Sequence, residues 1–86
     1  MSTQEKVEHA LRLYFGDARL KLETGPSGRV YGAVVSGSFG GQDDDARQGR
    51  VWKALRAGMD VAELKDVTLV LAFTPEEASD LDDDAA

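Results

Sequence analysis

The apolar residues at the start of the chain recur with the period of a helix. They follow the i, i+3, i+4, i+7 spacing of a single helix face: Val7, Ala10, Leu11 and Tyr14. Ser2 and Glu5 have the spacing of a capping box, with Thr3 as an alternative cap, and Gly16 is a natural terminator. The pattern predicts a helix over residues 2–15 with this face buried.

Two segments with the period of a β-strand follow the helix. Leu20 and Leu22 alternate with charged residues, which predicts a strand with one buried face. Turn-forming residues fill positions 24–28, and residues 29–36 are rich in Val and Tyr, so we expect a hairpin. Gly32 lies inside the second strand and indicates a bulge or close contact with a helix.

A second helix is predicted after a loop over residues 36–42. It begins with consecutive carboxylates, which suit the positive end of a helix dipole: Asp43, Asp44 and Asp45. Its buried face is marked at i, i+4 and i+8 by Val51, Leu55 and Met59, with Trp52 beside them. Asp60 and Glu63 have capping-box spacing and predict a short helical turn through residue 64.

The last apolar segment, residues 67–73, alternates two sets of largely apolar residues, which predicts a central strand covered on both faces. Thr74, Pro75 and Glu77 then mark the start of a short helix. The order α-β-β-α-(α)-β-α predicts an α+β fold, a three-stranded mixed sheet with helices on one face. We expect one domain over residues 1–78 and an acidic flexible tail over residues 79–86.

The composition excludes several classes of protein. The chain has 86 residues and no cysteine, which removes disulfides, thiolate metal sites and thiol nucleophiles. Its longest apolar run is five residues, far short of the roughly 20 that a membrane helix needs. The first residues lack the basic-then-apolar pattern of a secretory signal. We therefore expect a cytoplasmic protein that does not bind membranes.

The charge is acidic and unevenly placed. Ten basic and 16 acidic residues give a net charge of −6, and four aspartates lie in the last seven residues. Without those four the balance is 10 against 12, a net charge of −2. A nearly neutral body disfavours binding to a nucleic-acid backbone, which needs a surplus of Lys and Arg.

Few residues offer catalytic or metal chemistry. The one histidine, His9, lies beside the apolar face of the first helix with no nucleophile near it in sequence. The carboxylates cluster at a helix start and in the tail, without the spacing of a calcium loop. We predict no enzymatic activity. The Gly-x-x-Gly segment over 37–40 resembles an RNA-clamping loop, but the three aspartates after it favour a simple connection.

Four basic residues recur every three positions along the second helix: Arg47, Arg50, Lys53 and Arg56. Since three is less than 3.6, they form a ridge that drifts around the helix. The favoured interpretation is the polar back of an amphipathic helix. The functional alternative is a docking patch for an acidic partner or a nucleic-acid backbone.

Several segments occur together in one known family. They are the loop Val-Ser-Gly-Ser-Phe-Gly-Gly over 35–41, Arg47, the helix segment Val-Trp-Lys-Ala-Leu over 51–55, Val-Thr-Leu over 67–69 and Thr-Pro-Glu-Glu over 74–77. In this combination the chain resembles the BolA family, and matching elements run from about residue 7 to residue 77. The resemblance implies the α-β-β-α-α-β-α fold of that family, which is related to the type II KH arrangement.

The resemblance also implies a function. BolA-like proteins are non-enzymatic partners of monothiol glutaredoxins that help to handle [2Fe–2S] clusters in iron–sulfur homeostasis and stress response. Some are assigned DNA binding and transcriptional regulation. By this resemblance we expect the partner- or nucleic-acid-binding residues to lie on the loop and the second helix: Phe39, Gly41, Arg47, Arg50 and Lys53.

The family's cluster ligands are missing from this sequence. The histidine at the start of the third strand is replaced by Asp66, and the loop over 24–28 has neither His nor Cys. Arg47-Gln48 stands where many members have Arg-His. Carboxylate is a hard ligand and a poor substitute for imidazole or thiolate on cluster iron. We therefore expect a divergent BolA-like adaptor with no metal site and no bound cluster, and a KH-like DNA-binding regulator as the alternative.

Overall fold

The computed structural model describes residues 2–85, and the side chains of residues 2–80. Its elements follow the predicted order. They are α1 (Thr3–Tyr14), β1 (Arg19–Thr24), β2 (Val30–Val35), a 3₁₀ turn (Gly37–Phe39), α2 (Asp44–Gly58), α3 (Val61–Leu64), β3 (Val67–Phe73) and α4 (Pro75–Ala85). The α+β class is confirmed, and within the described range no helix is long and apolar enough to cross a membrane.

The three strands form a mixed sheet in the order β1-β2-β3. Strands β1 and β2 are antiparallel, as the predicted hairpin requires, and β3 is parallel to β2 after the crossover through α2 and α3. The prediction that β3 is central is wrong, because β2 holds that place. Leu69 and Leu71 on β3 are 49 % and 43 % exposed on the face opposite α1 and α2.

A register shift explains the mixed pattern of β3. Val67 pairs with Val30 but Leu69 pairs with Tyr31, so β3 carries one extra residue there. After this bulge the even-numbered residues of β3 face the core, whereas before it the odd-numbered residue Val67 does. Val67 is therefore buried together with the two even-numbered residues Val70 and Ala72.

The hydrophobic core lies between one face of the sheet and helices α1 and α2. Fully buried side chains from the sheet, the two helices and the loop after β2 meet there: Val7, Leu11, Val30, Val34, Phe39, Val51, Leu55 and Val70. The helices approach closely where Gly58 meets Ala10, since a Cβ built on Gly58 would lie 2.8 Å from the Ala10 Cβ. The predicted buried faces of α1 and α2 are confirmed, except at Tyr14, which is 39 % exposed.

Gly32 is required by the approach of two strands. Its φ is +153°, and a Cβ there would lie 2.0 Å from the carbonyl oxygen of Lys21 on β1. The sequence predicted close contact with a helix or a bulge at this position, and the close neighbour is instead the adjacent strand β1. Only glycine satisfies both constraints.

The predicted helix caps are present. Glu5 N–H donates to Ser2 Oγ at 3.2 Å, and Ala46 N–H donates to the Asp43 carboxylate at 2.9 Å. Thr74 and Glu77 form a reciprocal cap at the start of α4. Thr74 N–H donates to Glu77 Oε1 at 2.8 Å, and Glu77 N–H donates to Thr74 Oγ1 at 3.3 Å.

Helix α4 differs from its prediction in length and placement. It continues through residue 85, whereas the sequence predicted a short helix. Ala78 lines a groove with Val35 and Phe73 on the face of the sheet opposite α1 and α2. Leu64 of α3 packs against the same core as α1 and α2, so the predicted helical layer on one face is confirmed for these three helices, while α4 adds a contact near the end of β3. The flexibility expected for residues 79–86 remains a prediction, and the side chains of residues 81–86 lie outside the described residues.

Candidate partner-binding surface

Strand β2 separates the two regions that the sequence singled out. At its start, Val30 N–H donates to the carbonyl of Asp66 at 2.7 Å, so Asp66 lies beside the β1–β2 turn. At its end, Ser36 N–H donates to the carbonyl of Phe73 at 2.9 Å and leads into the loop with Phe39. At about 3.3 Å per residue, the two regions are roughly 17 Å apart along the strand.

The Asp66 end carries no donor set for a cluster. Asp66 is exposed and stands immediately before β3, which confirms its predicted place at the strand entrance. The adjoining turn, residues 24–28, contributes no His or Cys. Among the described residues, no three His, Cys, Asp or Glu side chains converge to hold a metal ion. These residues do not fit an iron–sulfur cluster, which takes thiolate or imidazole ligands.

The loop after β2 is anchored by one carboxylate. Ser36 Oγ donates to Asp17 Oδ1 at 2.7 Å, and Gly37 N–H donates to Asp17 Oδ2 at 3.1 Å. These two hydrogen bonds hold the pKa of the Asp17 carboxyl below its ordinary value, and the bond from Ser36 has the larger effect. Ser38 N–H in turn donates to Ser36 Oγ at 3.2 Å. The loop is thereby fixed to the turn after α1.

Three further loop amides are also hydrogen-bonded inside the protein. Phe39 N–H donates to Ser36 O, Gly40 N–H to Gly37 O, and Gln42 N–H to Phe39 O, at 3.1–3.3 Å. A Gly-x-x-Gly loop that clamps a phosphate needs such groups free. Here these amides are occupied and the Asp17 carboxylate lies against the loop. Both observations support the interpretation of the Gly-x-x-Gly segment as a connection between strand and helix.

Arg50 joins this loop to α1 and α2. Its Cζ lies over three rings, 5.1 Å from the centroid of Phe15, 5.5 Å from Phe39 and 6.0 Å from Tyr14. Its Nη1 donates to the carbonyl of Ser38 at 2.8 Å. Arg50 is half-buried, and its Nη1 also donates to Gln42 Oε1 at 2.9 Å.

Two of the residues predicted for partner binding are buried. Phe39 has no exposed surface, and Arg47 is 9 % exposed. Arg47 Nε donates to the carbonyl of Gln42 at 2.9 Å, and its Nη1 donates to the carbonyl of Ala72 at 3.2 Å and to Glu77 at 2.6 Å. Neither side chain offers a surface to a partner. The helical pattern misplaced Arg47 because it records which residues are polar, and a buried Arg with internal acceptors has the same signature.

The other predicted residues remain on the surface. Lys53 is exposed on α2, and Gly41 is exposed in a turn with φ of +77°. Together with the half-buried Arg50, they form the accessible remainder of the predicted site.

Helix side chains cover carbonyls on both free edges of the sheet. Gln48 Nε2 on α2 donates to the carbonyl of Val70 at 2.9 Å, beside the Arg47 bond to Ala72 on the same edge of β3. Gln4 Nε2 on α1 donates to the carbonyl of Leu22 on β1 at 3.1 Å. Exposed edges template strand pairing with other chains, so these contacts limit it.

The sequence did not reveal an apolar groove on the outer side of the helical layer. Small residues of α1 and α2 form its floor, with two larger side chains of α1 beside them: Ala10, Leu13, Tyr14, Ala54, Ala57 and Gly58. We call it the α1–α2 groove. Leu13 is 72 % exposed. The one feature of the sequence that could have indicated this groove is Leu13, an apolar residue that lies outside the periodic apolar face of α1.

Comparison with known proteins identifies the fold. No protein-family model matches the chain, and a search of curated proteins finds no match. The solved structure of BolA1 from Arabidopsis thaliana is similar, with a TM-score of 0.70 and 19 % sequence identity. The match covers 90 % of this chain and 96 % of that one. The chain therefore has a BolA-like fold.

Proposed function

We propose that this chain is a non-enzymatic BolA-like adaptor that acts by binding a protein partner and supplies no cluster ligand. The observation that carries the proposal is the combination of a BolA-like fold with an Asp66 end that holds no soft donor. Arg47, Gln48 and Arg50 of α2, together with most amides of the loop, are hydrogen-bonded inside the protein, and these bonds fix the surface. That is the property expected of a preformed docking surface.

The partner proposed is a monothiol glutaredoxin, in cytoplasmic iron–sulfur and stress regulation. Support comes from the sequence resemblance, whose loop, helix and strand-exit motifs occupy one continuous part of the fold. The Thr-Pro-Glu-Glu motif begins α4, and its Glu77 contacts Arg47 of the helix motif. Two of the residues that suggested the family, Arg47 and Glu77, are therefore in direct contact.

A nucleic-acid regulator is the alternative, and the loop geometry disfavours it. Most loop amides are internally bonded, Asp17 lies against the loop, and Arg47 is buried. DNA binding would depend on Arg50, Lys53 and Arg56, which are few cations for a chain with a net charge of −6.

An anaerobic titration with a monothiol glutaredoxin tests the proposal. The full chain is titrated into the apo and the [2Fe–2S]-loaded forms, and binding is followed by calorimetry and visible circular dichroism. We expect the chain to form a complex with both forms of the glutaredoxin. The visible circular dichroism of the cluster should be the same for the parent chain and for Asp66→Ala. A spectral shift that Asp66→Ala abolishes would show that the chain does ligate the cluster. Absence of binding to both forms would remove glutaredoxin as the partner.

Salt dependence separates the two classes of function. The same chain is titrated with duplex DNA at two salt concentrations. We expect weak binding that is lost as salt rises, whereas a packed protein interface responds weakly to salt. Tight DNA binding that falls with Lys53→Ala would favour the regulator.

A further inference from the structure

We propose that the α1–α2 groove docks an acidic amphipathic helix of a protein partner. The inference deepens the proposed function, since it names the chemistry of the segment that the adaptor binds. It places the docking surface on the outer side of the helical layer, away from Asp66, and its Tyr14 end adjoins Arg50 and the loop.

The groove has the shape of a helix-binding site. Because Gly58 meets Ala10 closely, α1 and α2 leave a shallow floor of Ala54 and Ala57 between them. Leu13 and Tyr14 of α1 lie beside this floor and are 72 % and 39 % exposed. An amphipathic helix anchors in such a groove through side chains at i, i+3, i+4 and i+7. Large exposed apolar residues next to a groove of small residues are typical of interaction sites.

The charge around the groove selects an acidic occupant. From residue 46 to residue 59 the chain has no Asp or Glu, although 16 of its 86 residues are acidic. Lys53 lies one turn before Ala57 and is exposed, and Arg50 stands at the Tyr14 end of the groove. At the opposite end, Lys6 is already paired with Glu63. The α2 side of the groove is therefore positive on an otherwise acidic protein.

The same features favour a protein segment over a nucleic acid. The lining residues are uncharged and predominantly aliphatic, whereas a nucleic-acid channel combines several cations with stacking rings. Here Tyr14 is the one ring in the lining, and its face is already approached by Arg50.

A designed peptide tests the groove directly. The probe is a fluorescein-labelled helical peptide of about 15 residues with Leu at i, i+4 and i+7 and Glu on the flanks. Binding to the full chain is measured by fluorescence polarisation, and the site is mapped by amide chemical shifts. We expect shifts at residues 10–14 and 53–58. A peptide of the same pattern with Lys in place of Glu is expected to bind at least about tenfold more weakly.

Two variants and one matched control complete the test. Leu13→Ser is expected to weaken peptide binding about tenfold. Its fold should be unaffected, since Leu13 is exposed. Lys53→Glu is expected to weaken binding more at low than at high salt, whereas Lys65→Glu, an exposed cation at the end of α3, should not. Three results would each overturn the inference. They are undiminished peptide binding by Leu13→Ser, amide chemical shifts confined to Leu69 and Leu71, and displacement of the peptide by a single-stranded oligonucleotide as effectively as by unlabelled peptide.

The outcomes also separate this inference from the proposed function. If glutaredoxin binds but Leu13→Ser changes the titration with neither the apo nor the [2Fe–2S]-loaded form, the groove inference fails and the adaptor proposal stands. If the peptide binds in a Leu13-dependent way while glutaredoxin does not bind, the groove inference stands and the glutaredoxin proposal fails.

Discussion

Arg47 and Glu77 are joined by a 2.6 Å contact between Nη1 and Oε1. The same Glu77 oxygen accepts the N–H of Thr74 at 2.8 Å, which caps α4. A single carboxylate oxygen thus holds the start of α4 and attaches it to α2. Because Arg47 also bonds to the carbonyl of Ala72, α2, the end of β3 and α4 meet at one guanidinium.

The first prediction concerns the stability that Arg47 provides. Arg47→Met removes the donors to the carbonyls of Gln42 and Ala72 while keeping an apolar stem. We expect a loss of about 1.5–3 kcal/mol, the usual range for hydrogen bonds to a charged group. Urea denaturation measures it. The matched control, Lys53→Met on the exposed side of the same helix, should stay within about 0.5 kcal/mol of the parent. Equal effects of the two variants would contradict a structural role for Arg47.

The second prediction concerns acid stability. Hydrogen bonding from Arg47 first, and then from the Thr74 N–H, lowers the pKa of Glu77 below its ordinary value of 4.5. Since the folded-state pKa is the lower one, this stabilisation is complete above pH 4.5 and is lost as the pH falls through the folded-state value.

The variant Glu77→Gln should therefore be less stable at pH 7, with a difference from the parent that shrinks as the pH falls below 4.5 and through the folded-state pKa. Thermal unfolding across this pH range measures the difference. Glu76→Gln, an exposed neighbour in the same turn of α4, serves as the control. A gap between Glu77→Gln and the parent that persists unchanged into acid would rule out the proposed linkage.

The third prediction concerns the β1–β2 contact. Gly32→Ala forces a Cβ against the Lys21 carbonyl at φ of +153°. Backbone strain alone is expected to cost about 1–3 kcal/mol, and the clash adds to it. Gly49→Ala is the opposite case, because nothing lies within 4 Å of its added Cβ in α2. That variant should gain up to about 1 kcal/mol. Chemical denaturation of both variants tests the pair, and a stable Gly32→Ala protein would refute the register described.

The fourth prediction concerns Phe39. Its ring is fully buried and lies 5.0 Å from that of Phe15, so Phe39→Ala should lose about 3–5 kcal/mol. Leu69→Ala, on the face of β3 opposite α1 and α2, should cost far less. Stability and partner affinity are both to be measured for Phe39→Leu, which keeps most of the apolar volume. A folded Phe39→Leu protein with normal stability and abolished binding would restore Phe39 to the docking surface.

The local order of elements could be read from the sequence because short-range chemistry determines it. The capping pairs Ser2–Glu5 and Thr74–Glu77 form between residues three apart, and the apolar periods of α1 and α2 mark faces that any packing partner must cover. The hairpin followed from its turn residues in the same way. The absence of soft ligands at Asp66 and in residues 24–28 is likewise a statement about composition.

Tertiary structure decided what periodicity cannot express. The edge position of β3 follows from the strand order, and the bulge opposite Val30 reverses its parity, so an apolar run became half exposed. Arg47 is buried because acceptors from Gln42, Ala72 and Glu77, up to 30 residues away, converge on it. Leu13 and Ala57 form a groove only because Gly58 lets α1 and α2 approach. Local patterns record which residues are apolar or charged, whereas burial depends on which distant segments lie against them.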